Sequence, residues 1–266
     1  MSDKSYDIIL FGVTGFTGKL AVEYLLQKQV KSPSFTWAAC ARNQSKAQDV
    51  LQEIVDRCNV GEASTCVVPD LLIADLACPN PDDEEILRKV VQKTRVVLTC
   101  CGPFEKYGQT LVRVCAEERV HYADICGETD FFRKMIAQHD SLARERGAAI
   151  VVHCGNDCIP QDLTVYELNQ YAKSNNARLS RVETFVQVAE EAAFSGGTAA
   201  TAAYQLSKHR TKGENEFDPL LTDANGEKSP CQTKNISLKQ KVNTEFGKAG
   251  PWIMGPVMVN CVRRSK

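Results

Sequence analysis

Short apolar runs alternate with longer amphipathic stretches from residue 7 to residue 153. A run without polar alternation fits a strand covered on both faces, whereas a repeat near 3.6 fits a helix with one buried stripe. Residues 7–11 (DIILF) therefore predict a strand, and residues 16–29 a helix with Leu20, Tyr24 and Leu25 on one face. The same reading gives strand 35–41 with helix 45–58, strand 71–75 with helix 82–93, and strand 95–101 with helix 109–118. Strand 120–125 with helix 131–145, then strand 148–153, complete the series. Such alternation builds a parallel sheet through right-handed crossovers, so the expected class is α/β with a doubly wound parallel sheet.

The rhythm changes after Pro160. A helix is expected over 162–172, a strand over 182–189 and a helix over 199–209. Residues 211–250 are polar and rich in Gly, Pro, Asn and Lys, which predicts a long surface loop. Residues 251–262 turn apolar again, as a strand would. The expected organisation is a first domain over 1–160 and a second, incomplete α+β domain over 161–266.

Composition narrows the partners. Of the 266 residues, 43% are hydrophobic and 24% charged, and the formal net charge is −1. No overall field recruits nucleic acid or an anionic membrane, which leaves a small or lipid-like molecule as the expected partner. Residues 1–7 lack the basic start and apolar run of a signal peptide, and no window is long and apolar enough for a transmembrane segment. A reducing, cytoplasmic location is therefore expected. The twelve cysteines are scattered, and Cys40, Cys100, Cys101, Cys126 and Cys154 lie in apolar runs where a thiol behaves as a small hydrophobe. His153, Cys154 and Cys158 lie close together, but no second ligand pair at zinc-finger spacing accompanies them, so no metal is expected.

The candidate chemistry begins where the first strand runs into Gly12, Val13, Thr14, Gly15, Phe16, Thr17 and Gly18. This G-x-x-G-x-x-G turn opens a helix. Gly12 permits a tight bend, Gly15 lets backbone approach a diphosphate, and Gly18 lets helix and strand lie close. The helix N-terminus presents unpaired N–H groups, and Thr14 and Thr17 add hydroxyls. A site for the unphosphorylated dinucleotide places Asp or Glu at the end of the second strand. Here Arg42 stands there, 24 positions after Gly18, and no acid accompanies it. A guanidinium matches a 2′-phosphate, so NADP(H) is the expected cofactor, although Arg42 can also be read as a solvated helix-start residue. Asp75 suits either the adenine amino group or a turn. Cys101, Gly102 and Pro103 close the fourth strand on the rim where open α/β sheets bind ligands.

In these segments the chain resembles the saccharopine dehydrogenase-like oxidoreductases, and most of all their animal and mycobacterial trans-acting enoyl reductase subgroup. The resemblance is carried by FGVTGFTG (11–18), CARNQSK (40–46), CGPFEKYG (101–108), YADICGE (122–128), HCGNDCIPQDL (153–163), FSGGT (194–198) and VRRS (262–265). It implies an N-terminal Rossmann-type NADP-binding domain and a C-terminal substrate and dimerisation domain. It also implies that relatives continue past VRRS, and that some lie peripherally on lipid droplets or membranes. Asn156 departs from the family, whose members carry an aromatic residue there.

Further candidates line the same rim. Tyr107, Asp124 and Asp157 are the candidate catalytic groups, with Tyr107 able to donate a hydrogen bond or simply to pack. Glu128 and Asp162 are candidate substrate groups, Asp162 serving equally well as a helix cap. Ser195, Gly196, Gly197 and Thr198 open a helix and suit either an anion or a hinge. The Tyr-x-x-x-Lys spacings at Tyr24–Lys28 and Tyr204–Lys208 fall at the wrong places in the topology for a short-chain reductase pair. The expected function is hydride transfer to a carbonyl or enoyl group of a lipid-linked substrate. A non-catalytic dinucleotide-binding or lipid-surface scaffold is the alternative. Saccharopine chemistry itself would need basic groups, where this rim is acidic.

Overall fold

The computed structural model describes residues 4–60, 65–186, 196–207, 242–244, 247–250 and 254–265. The chain divides into two compact units. The first comprises Met1–Cys126, Asp130–Val152 and Phe194–His209; the second comprises Gly127–Thr129, His153–Ala193 and Arg210–Lys266. Residues 196–207 thus group with the first unit.

The first unit is built on a six-stranded parallel sheet. Its elements run β1 (Tyr6–Phe11), α1 (Phe16–Lys31), β2 (Trp37–Ala41), α2 (Gln44–Cys58), β3 (Asp70–Ile73), α3 (Pro81–Val91), β4 (Thr94–Thr99), α4 (Phe104–Glu117), β5 (His121–Asp124), α5 (Thr129–Arg146) and β6 (Ile150–Val151). The strand order is β3-β2-β1-β4-β5-β6, so the chain reverses direction across the sheet between β1 and β4. Pairing aligns Phe11 with Cys40 and Thr99, Ala41 with Ile73, and Thr99 with Asp124. Gly12, Arg42 and Cys100 consequently leave the sheet along one carboxyl edge.

Each face of the sheet carries its own core, as the non-alternating runs predict. Leu10, Val13 and Ala39 pack with Val22, Leu25 and Leu26 of α1 and Leu51 and Ile54 of α2. On the other face Ile9, Phe11 and Val97 pack with Leu87 of α3, Leu111 of α4 and Phe131 and Met135 of α5. The stripe expected on α1 is corrected here: Leu25 is buried, but Leu20 and Tyr24 are exposed, and Val22 and Leu26 take the inner face. Leu25 and Leu26 with Val22 satisfy the helical spacing better than Leu20 does.

Two boundaries shift for local reasons. Strand β4 stops two residues early because the Cys101 N–H turns to the Thr99 hydroxyl and the Gly102 N–H to the Cys100 carbonyl. Helix α4 starts five residues early, at Phe104. Gly108 lies inside it, where a Cβ would lie 2.9 Å from Phe131 Cζ, so glycine is a packing choice.

Elsewhere the chain forms α6 (Ile159–Ser174), α7 (Gly196–Ser207), β7 (Val242–Thr244), β8 (Gly247–Ala249) and α8 (Gly255–Arg264). Helix α6 includes Pro160 in its first turn, where a missing N–H costs nothing. The strand expected over 182–189 is corrected for 182–186, which are irregular chain with exposed apolar side chains; 187–189 lie outside the described residues. Within the expected loop 211–250, β7 and β8 pair antiparallel, and 211–241 lie outside the described residues. The strand expected over 251–262 is corrected for 255–262, which belong to helix α8; 251–253 lie outside the described residues. Val257, Met258 and Cys261 are buried at helical spacing, and a proline occupies its first turn.

Candidate functional site

The crevice between β1 and β4 is the place where an open α/β sheet accepts a ligand, because adjacent helices diverge to opposite faces there. Its floor is the glycine turn. Gly12 has φ +89, a left-handed conformation that side chains disfavour, and its carbonyl accepts from the Gly15 N–H at 3.0 Å. A Cβ on Gly12 would lie 2.8 Å from Cys101 Sγ, and one on Gly18 would lie 1.9 Å from the Gly12 carbonyl oxygen. Helix α1 is thus pressed onto the turn. A Cβ on Gly15 would meet only the Gly12 oxygen, at 3.4 Å, and Gly15 and Phe16 are exposed. Thr14 and Thr17 are half-buried beside them.

The helix ends along this edge differ. Asn43 caps α2 by accepting from the Lys46 N–H at 2.9 Å, and Asn80 with Asp83 forms a capping box on α3. Gly15 before α1 and Pro103 before α4 supply no side-chain cap. Helix α1 therefore leaves the N–H groups of its first turn and its partial positive charge facing outward at the crevice.

Around this floor, three strand ends converge on Cys101. Burial raises its thiol to about 11, a bond to Thr99 and the positive charge of Arg42 pull it down, and the Asp75 carboxylate pushes it up. Arg42 and Asp75 are thus both within electrostatic reach of the residue lying against Gly12. Arg42 is exposed, and among the described residues no carboxylate pairs with it. Asp75 accepts from the Ala77 N–H at 3.0 Å through one oxygen, so it holds a turn and keeps a second oxygen for another donor. Gly102 follows, joined to the buried Pro103 by a cis peptide, and Thr201 of α7 approaches it. Gln205 of α7 donates to Glu105 of α4 at 3.2 Å. Nothing in the sequence points to Thr201 or Gln205, since a return of α7 to this rim leaves no local pattern.

The candidate catalytic and substrate groups are less concentrated. Tyr107 is half-buried in the first turns of α4, with the Lys106 ammonium 5.2 Å from its ring centre. Asp124 is fully buried beneath the rim and accepts from the Tyr122 hydroxyl at 2.7 Å and the Cys126 N–H at 3.0 Å. Burial, with the Asp124 charge, pushes the Tyr122 phenol well up, so it stays a donor. Asp157, Glu128 and Asp162 belong to the second unit. Glu128 is buried there. Asp162 sits inside the first turn of α6 instead of capping it, and accepts from the Ser265 hydroxyl at 2.8 Å. That bond joins the segments 153–163 and 262–265. Gly196, Gly197 and Thr198 form the exposed first turn of α7, and Ser195 lies outside the described residues.

The donor set fits a phosphorylated dinucleotide: a turn with no Cβ above Gly15, outward-facing N–H groups, and an exposed guanidinium in place of a ribose-binding acid. Comparison with known proteins agrees. The saccharopine dehydrogenase NADP binding domain matches residues 8–178. A saccharopine dehydrogenase-like oxidoreductase of Mus musculus is 32% identical over 189 residues, which cover 70% of this chain and 42% of that protein. A lipid droplet localized protein of Caenorhabditis elegans is 31% identical over 205 residues, covering 76% and 45%. A trans-acting enoyl reductase of Mycobacterium ulcerans is 28% identical over 274 residues, covering 99% and 62%. The chain therefore spans between 42% and 62% of these relatives' own lengths.

Proposed function

This chain belongs to the saccharopine dehydrogenase family through its NADP-binding domain, and on that premise we propose that it carries the cofactor for reduction of a carbonyl or enoyl group on a lipid-linked substrate. The observation that carries this reading is the uncapped start of α1 above an open Gly15, with an exposed Arg42 at the neighbouring strand end. Gly12, Gly15 and Gly18 shape the cradle, and the N–H groups of Phe16, Thr17 and Gly18 with the hydroxyls of Thr14 and Thr17 take the diphosphate. Arg42 takes the 2′-phosphate by charge-assisted bonds. Asp75 offers its second oxygen to the adenine amino group. The edge formed by Cys101, Gly102 and Pro103 guides the other half of the cofactor along the crevice. Bound NADP(H) supplies hydride exchange. Tyr107 is the group in the first unit suited to donate a hydrogen bond to a substrate oxygen.

The names of the nematode and mycobacterial relatives make acyl-linked substrates the ones to test first. A cofactor-binding scaffold without turnover is the second reading. It is favoured by one feature: the carboxylates of Asp124 and Asp162 are already engaged internally. Stopped-flow oxidation of NADPH with enoyl and ketoacyl thioesters separates the two. Turnover that falls at least tenfold in Tyr107→Phe supports the reductase, and tight NADPH binding without turnover on any acyl substrate supports the scaffold.

A further inference from the structure

Two segments singled out in the sequence, 153–163 and 262–265, meet in the second unit through contacts that cofactor binding does not use. Cys158, the residue before α6, and Cys261 of α8 are both buried, and they pack in one cluster with Met254 and Val257. The two thiols share a hydrogen bond. One helical turn further along each chain segment, the Ser265 hydroxyl donates to Asp162 at 2.8 Å. The partners 158 with 261 and 162 with 265 advance together by four residues, so α8 runs parallel to the start of α6. Each advance is about 6 Å of helix. The second rung thereby fixes the register that keeps the two sulfurs opposed.

We propose that Cys158 and Cys261 are a dithiol modification site that closes to a disulfide with low-molecular-weight disulfides of the glutathione class, pinning α8 to the start of α6. In the first step the Cys261 thiolate attacks one sulfur of the small disulfide, forming a mixed disulfide and releasing one small thiol. In the second, Cys158 gives up its proton and attacks the Cys261 sulfur, expelling the other small thiol. Two protein thiols are oxidised and one small disulfide is reduced. Cys261 is the better attacking group. The Cys158 hydrogen bond lowers its titration below the ordinary thiol range, against burial and the Asp162 charge. It is also the less buried of the two, at 8% exposed against 2%.

The test uses the full chain incubated with oxidised glutathione, alkylated, digested without reduction and mapped by mass spectrometry. The expected product is a peptide pair joined through Cys158 and Cys261, with two of the twelve thiols lost and both recovered on reduction. In Cys158→Ser the resolving step is missing, so a stable glutathione adduct should accumulate on Cys261. Cross-links confined to other pairs such as Cys100–Cys101, or a wild-type adduct on Cys261 that never resolves, would overturn the proposal. Should the variant fail to fold, the wild-type map decides alone.

Discussion

Helices α1 and α2 begin on the same edge of the same sheet, yet they finish their N-termini in opposite ways. Helix α2 satisfies itself, with Asn43 accepting from Lys46, whereas α1 begins at a bare glycine and leaves its first-turn donors outward. Helix α3, further from the crevice, carries a full capping box, and α4, which borders it, has Pro103. The contrast separates two uses of one structural element. Where a helix end only has to be stable, the chain supplies an acceptor of its own; on the proposed function, the start of α1 leaves that place to the diphosphate.

The largest effect is expected where the glycine turn cannot yield. A methyl at Gly18 would overlap the Gly12 carbonyl, so Gly18→Ala should cost about 3 kcal/mol of stability and abolish NADPH binding. Denaturant midpoints and cofactor titration read both. Gly15→Asp sharpens the contrast further, because it converts α1 into a self-capped helix like α2. The backbone there is extended (φ −82, ψ 165) and has room for a Cβ, so stability should hold or rise by a few tenths of a kcal/mol. The added carboxylate faces the diphosphate, and NADPH affinity should fall by about 100-fold or more. An unchanged affinity would mean the donors of α1 serve no anion. Asn43→Ala is the converse. It should cost about 1 kcal/mol and leave NADPH affinity within twofold.

The smallest effect concerns a cluster of ion pairs between α3 and α4. Arg88 of α3 binds Glu117 and Glu118 at the end of α4, and Arg113 binds Glu84 and Glu117. The bond from Arg113 draws Glu84 below its ordinary 4.5. Glu117 and Glu118 are pushed up by burial, but the bonds from Arg88, Arg113 and Gln92 outweigh it, and both also lie below 4.5. Depressed carboxyls stabilise the fold fully above their unfolded value and cease to do so as pH falls through the folded one. Arg88→Gln should therefore lose roughly 1 kcal/mol at pH 7, converge with the wild type at low pH, and leave cofactor affinity untouched. Urea titrations at the two pH values check this.

How much of the molecule is legible in the chain alone depends on range. The buried strands and the turn at Gly12–Gly18 are written in consecutive residues, and both can be read directly. The substitution of Arg42 for an acid is legible too, because strand length fixes where the second strand ends. What fails needs partners distant in sequence. The start of α4 at Phe104, five residues before the expected 109, runs through Gly108, which packs against the distant Phe131 ring. Residues 251–262 read as a strand because a short apolar run has no clear period, and from Gly255 onward the packing of Val257 and Cys261 against Cys158 favours the helix. Asp124 differs from these, since its partners Tyr122 and the Cys126 N–H lie only two residues away, and what the strand pattern does not show is that their bonds converge on its carboxylate. Of the four carboxylates in rim motifs, Asp124 and Asp162 make internal bonds and Glu128 is buried.

On the proposed function, a 2′-phosphorylated dinucleotide lies across the β1–β4 crevice and Arg42 reads its extra phosphate. Calorimetric titration of the wild type and Arg42→Ala with NADPH and with NADH tests it directly. Loss of charge-assisted bonds worth about 1.5–3 kcal/mol predicts NADPH binding weakened by more than tenfold in the variant, with NADH nearly unchanged. Equal losses for both nucleotides, or no heat with NADPH in the wild type, would contradict it.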